Sequence, residues 1–359
     1  MFVSDLKLIN YRNYSFIETS FNRGINFIIG NNAVGKTNIV ESIYFLSLAR
    51  SFKTNAETEL IKEFEKEAFI ESNVYSGNLK TNIKIALSNK GKRIIINNNK
   101  TKKVSELSNK VNVLLFTPKD VDLFKETPKS RRFFINLTIS KMNNEYQNSI
   151  SRYEKILKDR NFELKKDNPD LTLVNVYKDQ LIKESFYIFK NRKLLINKLN
   201  KSINGVFKNI STRYQKITIK YNPFVDEDNE NMYFQKLDNF YKKALKEDIN
   251  KKVTTIGIHK EDFAIFLDER DVSKYGSQGE NRMCALALKI SPYLLIDKEE
   301  DKPIVILDDV LSELDNEHTT LLIKYLENFN QVFITATKRN KNINKNIYLI
   351  ENNSIKQEG

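Results

Sequence analysis

"INFIIGNNAVGKTNIVESIYFLSLA", Ile25–Ala49, passes from an apolar run through a glycine-bounded loop into a helical pattern. Its centre, Gly30–Thr37, fits G-x-x-x-x-G-K-[ST]. The motif needs a strand before it and a helix after it. Ile25–Gly30 reads as that strand and Asn38–Ala49 has the helical period. Gly30 and Gly35 let the backbone curl through Asn31, Asn32, Ala33 and Val34, so that successive N–H groups face a phosphate. Lys36 adds a charge at the β- and γ-phosphates, and Thr37 supplies a hydroxyl for Mg²⁺. The competing reading is a plain turn entering a helix.

A phosphate loop needs a carboxylate at the end of a neighbouring strand to hold the metal. "PIVILDDVLSELD", Pro303–Asp315, offers an apolar run closed by two aspartates. Asp308 is the expected metal ligand. Asp309 is expected where a water is polarised for attack on the γ-phosphate, as the catalytic residue. A third stretch, "KYGSQGENRMCALALKI", Lys274–Ile290, opens on a glycine-flanked turn and runs into a helix. Ser277 and Glu280 have capping-box spacing. The N–H groups of such a helix start can also face an anion. A second anion-facing helix start shortly before the aspartate strand is the order found in ABC-type ATPases. There the helix start of one subunit caps the γ-phosphate held by the other.

Bulk composition narrows the class. The chain has 359 residues, 40% hydrophobic and 29% charged, with no apolar run of the roughly 18 residues that span a bilayer. The first residues lack the basic start and apolar core of a signal peptide. Cys284 is the only cysteine, which excludes an intrachain disulfide and suits a reducing cytoplasm. With two histidines besides, a His/Cys metal site is not expected.

The net charge of +13 is concentrated in the middle: residues 119–252 hold 29 Lys+Arg against 18 Asp+Glu, an excess of 11. Ser185–Val225 carries nine basic residues and no acidic one. The run suits an anionic polymer, with a solvated basic face as the alternative. Lys190, Arg192, Lys193 and Lys198 are the expected nucleic-acid contacts. Three zones follow: 1–118 as α/β structure, 119–255 as a mainly helical, basic insertion, and 256–359 as α/β again. Within the insertion Ser130–Lys166 reads as one long helix and Leu173–Asn204 as a second. Leu181, Ile188, Leu195 and Leu199 would pack the two together, and Phe162 and Leu164 would staple the tip. His259, in "GIHKEDF", is open between a catalytic and a structural role. Arg131 and Arg132 are open between DNA contact and bracing.

Taken together, these segments resemble the bacterial RecF family, relatives of SMC proteins without the long coiled coil. The resemblance covers nearly the whole chain. It rests on "LKLINYRNY", the phosphate loop and its helix, "LLFTPKDVDLFKETPKSRRFFINLTIS", "GIHKEDF", "GSQGENR" and "ILDDVLSELD". Departures are Ile258 where proline is usual, Glu280 where glutamine is common, and "TATK" near the end. The resemblance implies an α/β fold: an ABC-type ATPase head with an inserted helical arm, the head made of 1–118 and 256–359. It implies ATP and Mg²⁺ as cofactors and an ATP-dependent homodimer with slow hydrolysis used as a switch. It implies binding to double-stranded and gapped or single-stranded DNA, and work with RecO and RecR to place RecA at gaps. Carried over by position, Gly30–Thr37 form the phosphate loop, Asp308 the metal ligand and Asp309 the catalytic carboxylate. Ser277, Gln278, Gly279 and Glu280 form the signature acting across the dimer, and Asp315 the loop after the aspartate strand. Arg12 is expected to approach the nucleotide. A transporter or SMC-like ATPase subunit is the alternative. It sits less well with the basic middle segment.

Overall fold

The computed structural model describes residues 1–101, 104–108, 110–120, 127–211, 213–214, 216–338 and 346–358. Residues 121–126 of the central family-like segment lie outside them. The chain forms two compact units. The first comprises Met1–Asp120, Asn209–Ser211 and Lys289–Gly359; the second comprises Val121–Lys208 and Thr212–Leu288.

The first unit begins with β1 (Phe2–Val3), β2 (Asp5–Tyr11), β3 (Tyr14–Ser20) and β4 (Gly24–Ile29), then α1 (Lys36–Leu48). Next come β5 (Glu67–Ser76), β6 (Leu79–Ser88), β7 (Gly91–Ile96), β8 (Asn99–Thr101), α2 (Val104–Ser108) and β9 (Val113–Phe116). In the second unit lie α3 (Pro128–Met142), α4 (Asn144–Leu164), most of α5 (Leu171–Ile210), β10 (Ile217–Asn222), α6 (Glu230–Lys251), β11 (Asp262–Leu267), β12 (Arg270–Asp271), α7 (Val272–Tyr275) and most of α8 (Gln278–Ile290). The chain then returns to the first unit with β13 (Ile304–Leu307), α9 (Asn316–Leu326), β14 (Gln331–Ala336), β15 (Asn346–Glu351) and β16 (Ser354–Glu358).

Two sheets build the first unit. One runs β16-β15-β4-β14-β13-β9, with β15, β4, β14, β13 and β9 parallel. Parallel strands covered on both faces read as unbroken apolar runs, and every residue of β13 is buried. The other sheet is antiparallel, in the order β3-β2-β5-β6-β7-β8 with β1 also on β5. Its strands alternate buried and exposed residues along β5 and β6. Ile39, Val40, Ile43, Phe45 and Leu46 of α1 share one apolar core with residues of both sheets, such as Leu8 and Ile85 from one and Ile306 and Phe333 from the other. The phosphate-loop helix is thereby locked in place.

In the second unit the single long helix expected over Ser130–Lys166 is broken at Asn143. That residue is extended (φ −148°, ψ 101°), and its side chain accepts from the Tyr146 N–H, capping α4. Asparagine competes with helical backbone bonds in this way. The following helix is longer than expected: α5 has 40 residues, roughly 60 Å at 1.5 Å per residue. Leu181, Ile188, Leu195 and Leu199 are buried, as is Leu164, but Phe162 is 70% exposed and staples nothing.

The sequence reading places residues 256–288 in the head, by their position after the arm. By packing they belong to the second unit. The reason is β11, which pairs antiparallel with β10 from Ile217↔Leu267 to Asn222↔Asp262. Arg131 on α3 also grips Asp262, at 2.8 Å from Nε and 2.6 Å from Nη2.

Candidate nucleotide-binding site

The loop Gly30–Gly35 joins β4 to α1 where β4 lies between β14 and β15. Both terminal glycines are obligatory here. A Cβ on Gly30 would lie 2.7 Å from the Ile350 carbonyl oxygen. Gly35 has φ +108°, and its Cβ would strike Asn13 and Tyr14. Lys36 is 8% exposed, and its ammonium donates to the carbonyls of Gly30 and Asn31, both at 2.7 Å. Burial lowers its pKa, and the nearby Asp309 and Asp308 oppose that shift.

The motif "NYRNY" buttresses the loop through residues other than the expected one. Arg12 gives a two-pronged grip to the fully buried Glu41 of α1 (2.9 and 2.7 Å) and a bond to the Glu59 carbonyl (3.0 Å). Its guanidinium thus braces the helix. Asn13 touches the loop itself: its amide donates to the Val34 carbonyl (3.1 Å), and its oxygen accepts from Asn38 (2.7 Å). The signal for Asn13 was only its place beside Arg12.

Two distant motifs meet behind α1. Thr37 Oγ1 donates to Asp308 Oδ1 at 3.0 Å, across 271 residues of sequence. Thr335, at the end of β14, donates to the same oxygen at 2.8 Å and accepts from the Asp309 N–H at 2.8 Å. Thr335 was not singled out in the sequence; only the three-dimensional pairing of β13 with β14 brings it there. Asp308 is 6% exposed, and burial raises its pKa against the bonds from Thr335 and Thr37. A threonine hydroxyl and a carboxylate side by side form the hard oxygen pair that suits Mg²⁺, which takes few protein ligands and fills its shell with phosphate oxygens and water. Asp309 is exposed and its backbone is left-handed (φ 53°), whereas Asp308 beside it is buried. Asp315 caps α9 by accepting from the His318 N–H at 2.8 Å.

In the second unit, α8 starts with the capping box complete. The Ser277 N–H donates to Glu280 Oε2 at 2.8 Å, and the Glu280 N–H donates to Ser277 Oγ at 3.2 Å. Glu280 is held further by the Tyr214 hydroxyl and by Arg213 at 3.7 Å. Ser277, Gln278 and Gly279 are exposed. A Cβ on Gly279 would meet only open space, so packing within this chain does not demand glycine there. Ser277 Oγ accepts its cap bond, which leaves the hydroxyl proton available to an outside acceptor.

Comparison with known proteins agrees with this geometry. A family model described as the RecF/RecN/SMC N terminal domain matches residues 2–356. The DNA replication and repair protein RecF of Clostridium novyi (strain NT) is 36% identical over 341 residues, covering 94% of this chain and 93% of that protein. RecF of Clostridioides difficile (strain 630) is 36% identical over 368 residues, covering 99% and 98%. The chain belongs to the RecF family. A solved structure of the recombination mediator protein RecF-ATPrS in the RecFOR pathway superposes with a TM-score of 0.88 at 32% identity, covering 100% of this chain and 98% of that one. The RecF-ATP structure gives 0.87 at 31%, with the same coverage. The Smc head domain of Pyrococcus furiosus, at 14% identity and a TM-score of 0.59, shares the fold.

This RecF-family chain sorts its expected DNA contacts into two groups. Arg192 is 3% exposed and points inward: Nη1 donates to the Ile258 carbonyl (2.8 Å) and Glu261 Oε2 (3.2 Å), and Nη2 to Asn136 (3.1 Å). It is a core residue, which corrects its assignment to a DNA surface. Lys193 is tied to Asp226 at 2.7 Å and Asp228 at 3.0 Å. Lys190 and Lys198 are exposed. Arg131 and Arg132 both bond to the start of β11 or the residue before it, at Asp262 and the Glu261 carbonyl, so they brace. His259 is half-buried, held between the Tyr153 hydroxyl (2.8 Å) and the Thr254 carbonyl (3.0 Å). With Nε2–H donating to the carbonyl, Nδ1 accepts from the tyrosine, the pattern of a neutral imidazole. Burial, the leading cause, lowers its pKa to about 4. His259 is structural. Among the described residues no helix is long and apolar enough to cross a membrane.

Proposed function

We propose that this chain is an ATP-switched DNA-binding protein of recombinational repair and replication restart, a slow ATPase that dimerises on ATP and works with RecO and RecR at DNA gaps to place RecA. The observation that carries the reading is the 3.0 Å contact of Thr37 with Asp308, which unites phosphate loop and aspartate strand in one site. The names of its relatives supply the process: replication, repair and the RecFOR pathway.

In this reading the N–H groups from Gly30 to Thr37 and the Lys36 ammonium hold the phosphates, and Thr37 and Asp308 would hold Mg²⁺. The metal, when bound, neutralises charge on the phosphate oxygens. Asp309 orients the attacking water and takes its proton. Ser277 and Gly279 of a second copy complete the site at the γ-phosphate. The α8 N–H groups and dipole favour that anion. ADP lacks the group they recognise, so ATP joins the two copies.

Mixing two variants tests the shared site. Lys36→Met removes the phosphate-facing charge and should abolish ATP binding. Ser277→Arg places a bulky cation at the start of α8, against its dipole; ATP binding should survive while dimerisation and hydrolysis fail. In the mixed dimer one composite site carries both lesions and the other neither, so mixing should restore activity. No recovery at any ratio, with mixed dimers demonstrated by crosslinking, refutes the arrangement.

A further inference from the structure

We propose that the outer face of α5 is a phosphate track for duplex DNA, formed by Lys183, Lys190, Lys201 and Lys208 with Lys198 at its flank. This deepens, and rests on, the DNA-binding reading above. At about 100° per residue, the intervals of 7, 11 and 7 residues place the four lysines within about 20° of one line along the helix. All are exposed. From Lys183 to Lys208 the line runs about 38 Å at 1.5 Å per residue. One turn of duplex is about 34–36 Å.

The pairing pattern argues for a ligand over a merely solvated face. Basic residues on the other sides of α5 are neutralised by acids on neighbouring elements. Lys178 is 2.5 Å from Asp238, Lys193 is 2.7 Å from Asp226, and Arg192 is 3.2 Å from Glu261. Among the described residues, none of the five lysines of the track has an acidic partner within 4.0 Å; Lys190 only overhangs the Phe186 ring at 5.3 Å. A line of uncompensated ammonium groups is tolerable in salt water, because charges roughly 10 Å apart are screened. It becomes strongly favourable when phosphates replace its counterions.

The chemistry of the track selects duplex over single strand. Lysines bind phosphates as point charges and read no bases. Single-strand sites add aromatic platforms on which bases stack. This face has no exposed ring: its large exposed apolar residue is Leu194, and the nearest tyrosine, Tyr187, is only partly exposed and its hydroxyl accepts from Asn143.

The experiment compares the full chain with ATP, a variant with Lys183, Lys190, Lys201 and Lys208 all changed to Gln, and a control with Lys155, Lys158, Lys243 and Lys246 changed to Gln. The control makes the same change in net charge at exposed positions on α4 and α6. Glutamine keeps helix propensity, so both variants should fold; circular dichroism melting verifies this. Fluorescence anisotropy measures binding to a 30-base-pair duplex and a 30-nucleotide single strand across a salt series. Four lost contacts should flatten the duplex slope of log K against log salt by about 3.6, at 0.9 per phosphate. The control should stay within about one of the wild-type slope, and single-strand binding should change little. An unchanged duplex slope in the track variant, while the wild type binds duplex, overturns the track alone. Equal losses in the variant and the control make it a net-charge effect and also overturn it. An equal loss on single strand and duplex overturns the duplex assignment. Failure of the wild type to bind any DNA refutes the DNA-binding reading itself.

Discussion

Replacing Arg192 with methionine separates a core residue from a DNA contact. Methionine has similar reach and no charge. The substitution leaves Glu261, 2% exposed, without its guanidinium, retaining only the Tyr221 hydroxyl and the Phe224 N–H. It also strips donors from the Ile258 carbonyl and Asn136. Removing one member of a buried ion pair costs about 3–5 kcal/mol. At roughly 2–4 °C per kcal/mol for a unit of this size, the melting temperature should fall by about 6–20 °C. Burial already raises the Glu261 pKa and Arg192 opposes it, so in the variant the carboxyl should titrate higher still. Mild acidification should therefore return part of the lost stability by protonating it. Arg192→Met combined with Glu261→Leu should recover most of the loss, because neither charge is then stranded. Thermal melting by circular dichroism reads all three proteins. A singly substituted protein that melts within about 2 °C of wild type yet loses DNA affinity refutes the reasoning and returns Arg192 to the DNA surface.

Two further outcomes follow from the geometry. Asp309→Asn should bind Mg-ATP through the intact Asp308 and Thr37, hydrolyse it about 10²-fold or more slowly, and accumulate the ATP-bound dimer. Phosphate release together with sedimentation checks this, and wild-type turnover would move the catalytic role elsewhere. His259 has a folded pKa of about 4 against an ordinary 6.5, so the unfolded chain takes up its proton first. The stability it provides is complete above pH 6.5 and is lost as the pH falls toward 4, about 2 kcal/mol between pH 7 and pH 5. His259→Gln should be less stable at pH 7 but lose less stability over that interval in denaturant titrations. A parallel pH dependence in the two proteins would contradict the neutral imidazole.

The contiguous motifs were legible in the chain because their physics is local. A phosphate loop needs glycines where the backbone turns left-handed or runs against its neighbours, and Gly30 and Gly35 stand there. A capping box needs a serine three residues before a glutamate, and Ser277 and Glu280 make both of its bonds. An apolar run closed by aspartate needs only a buried parallel strand, and β13 is one. The family resemblance followed from the order of these local signals.

Partner choice among polar side chains was not legible. Arg192 and Lys190 lie two residues apart in one basic run. About 200° of helical rotation separates them, and acids contributed by distant elements decide which is neutralised. Arg12 was expected at the nucleotide, but the buried Glu41 holds its guanidinium, and the neighbouring Asn13 bonds to the loop instead. Thr335 joins the Thr37–Asp308 pair only because β14 lies beside β13. Residues 256–288 follow the arm in sequence, yet the pairing of β11 with β10 draws them into its unit. Charge, spacing and period are properties of a segment and survive unfolding. Which charge is paired and which is left for a ligand depends on contacts between residues tens to hundreds of positions apart, and those exist only once the chain has folded.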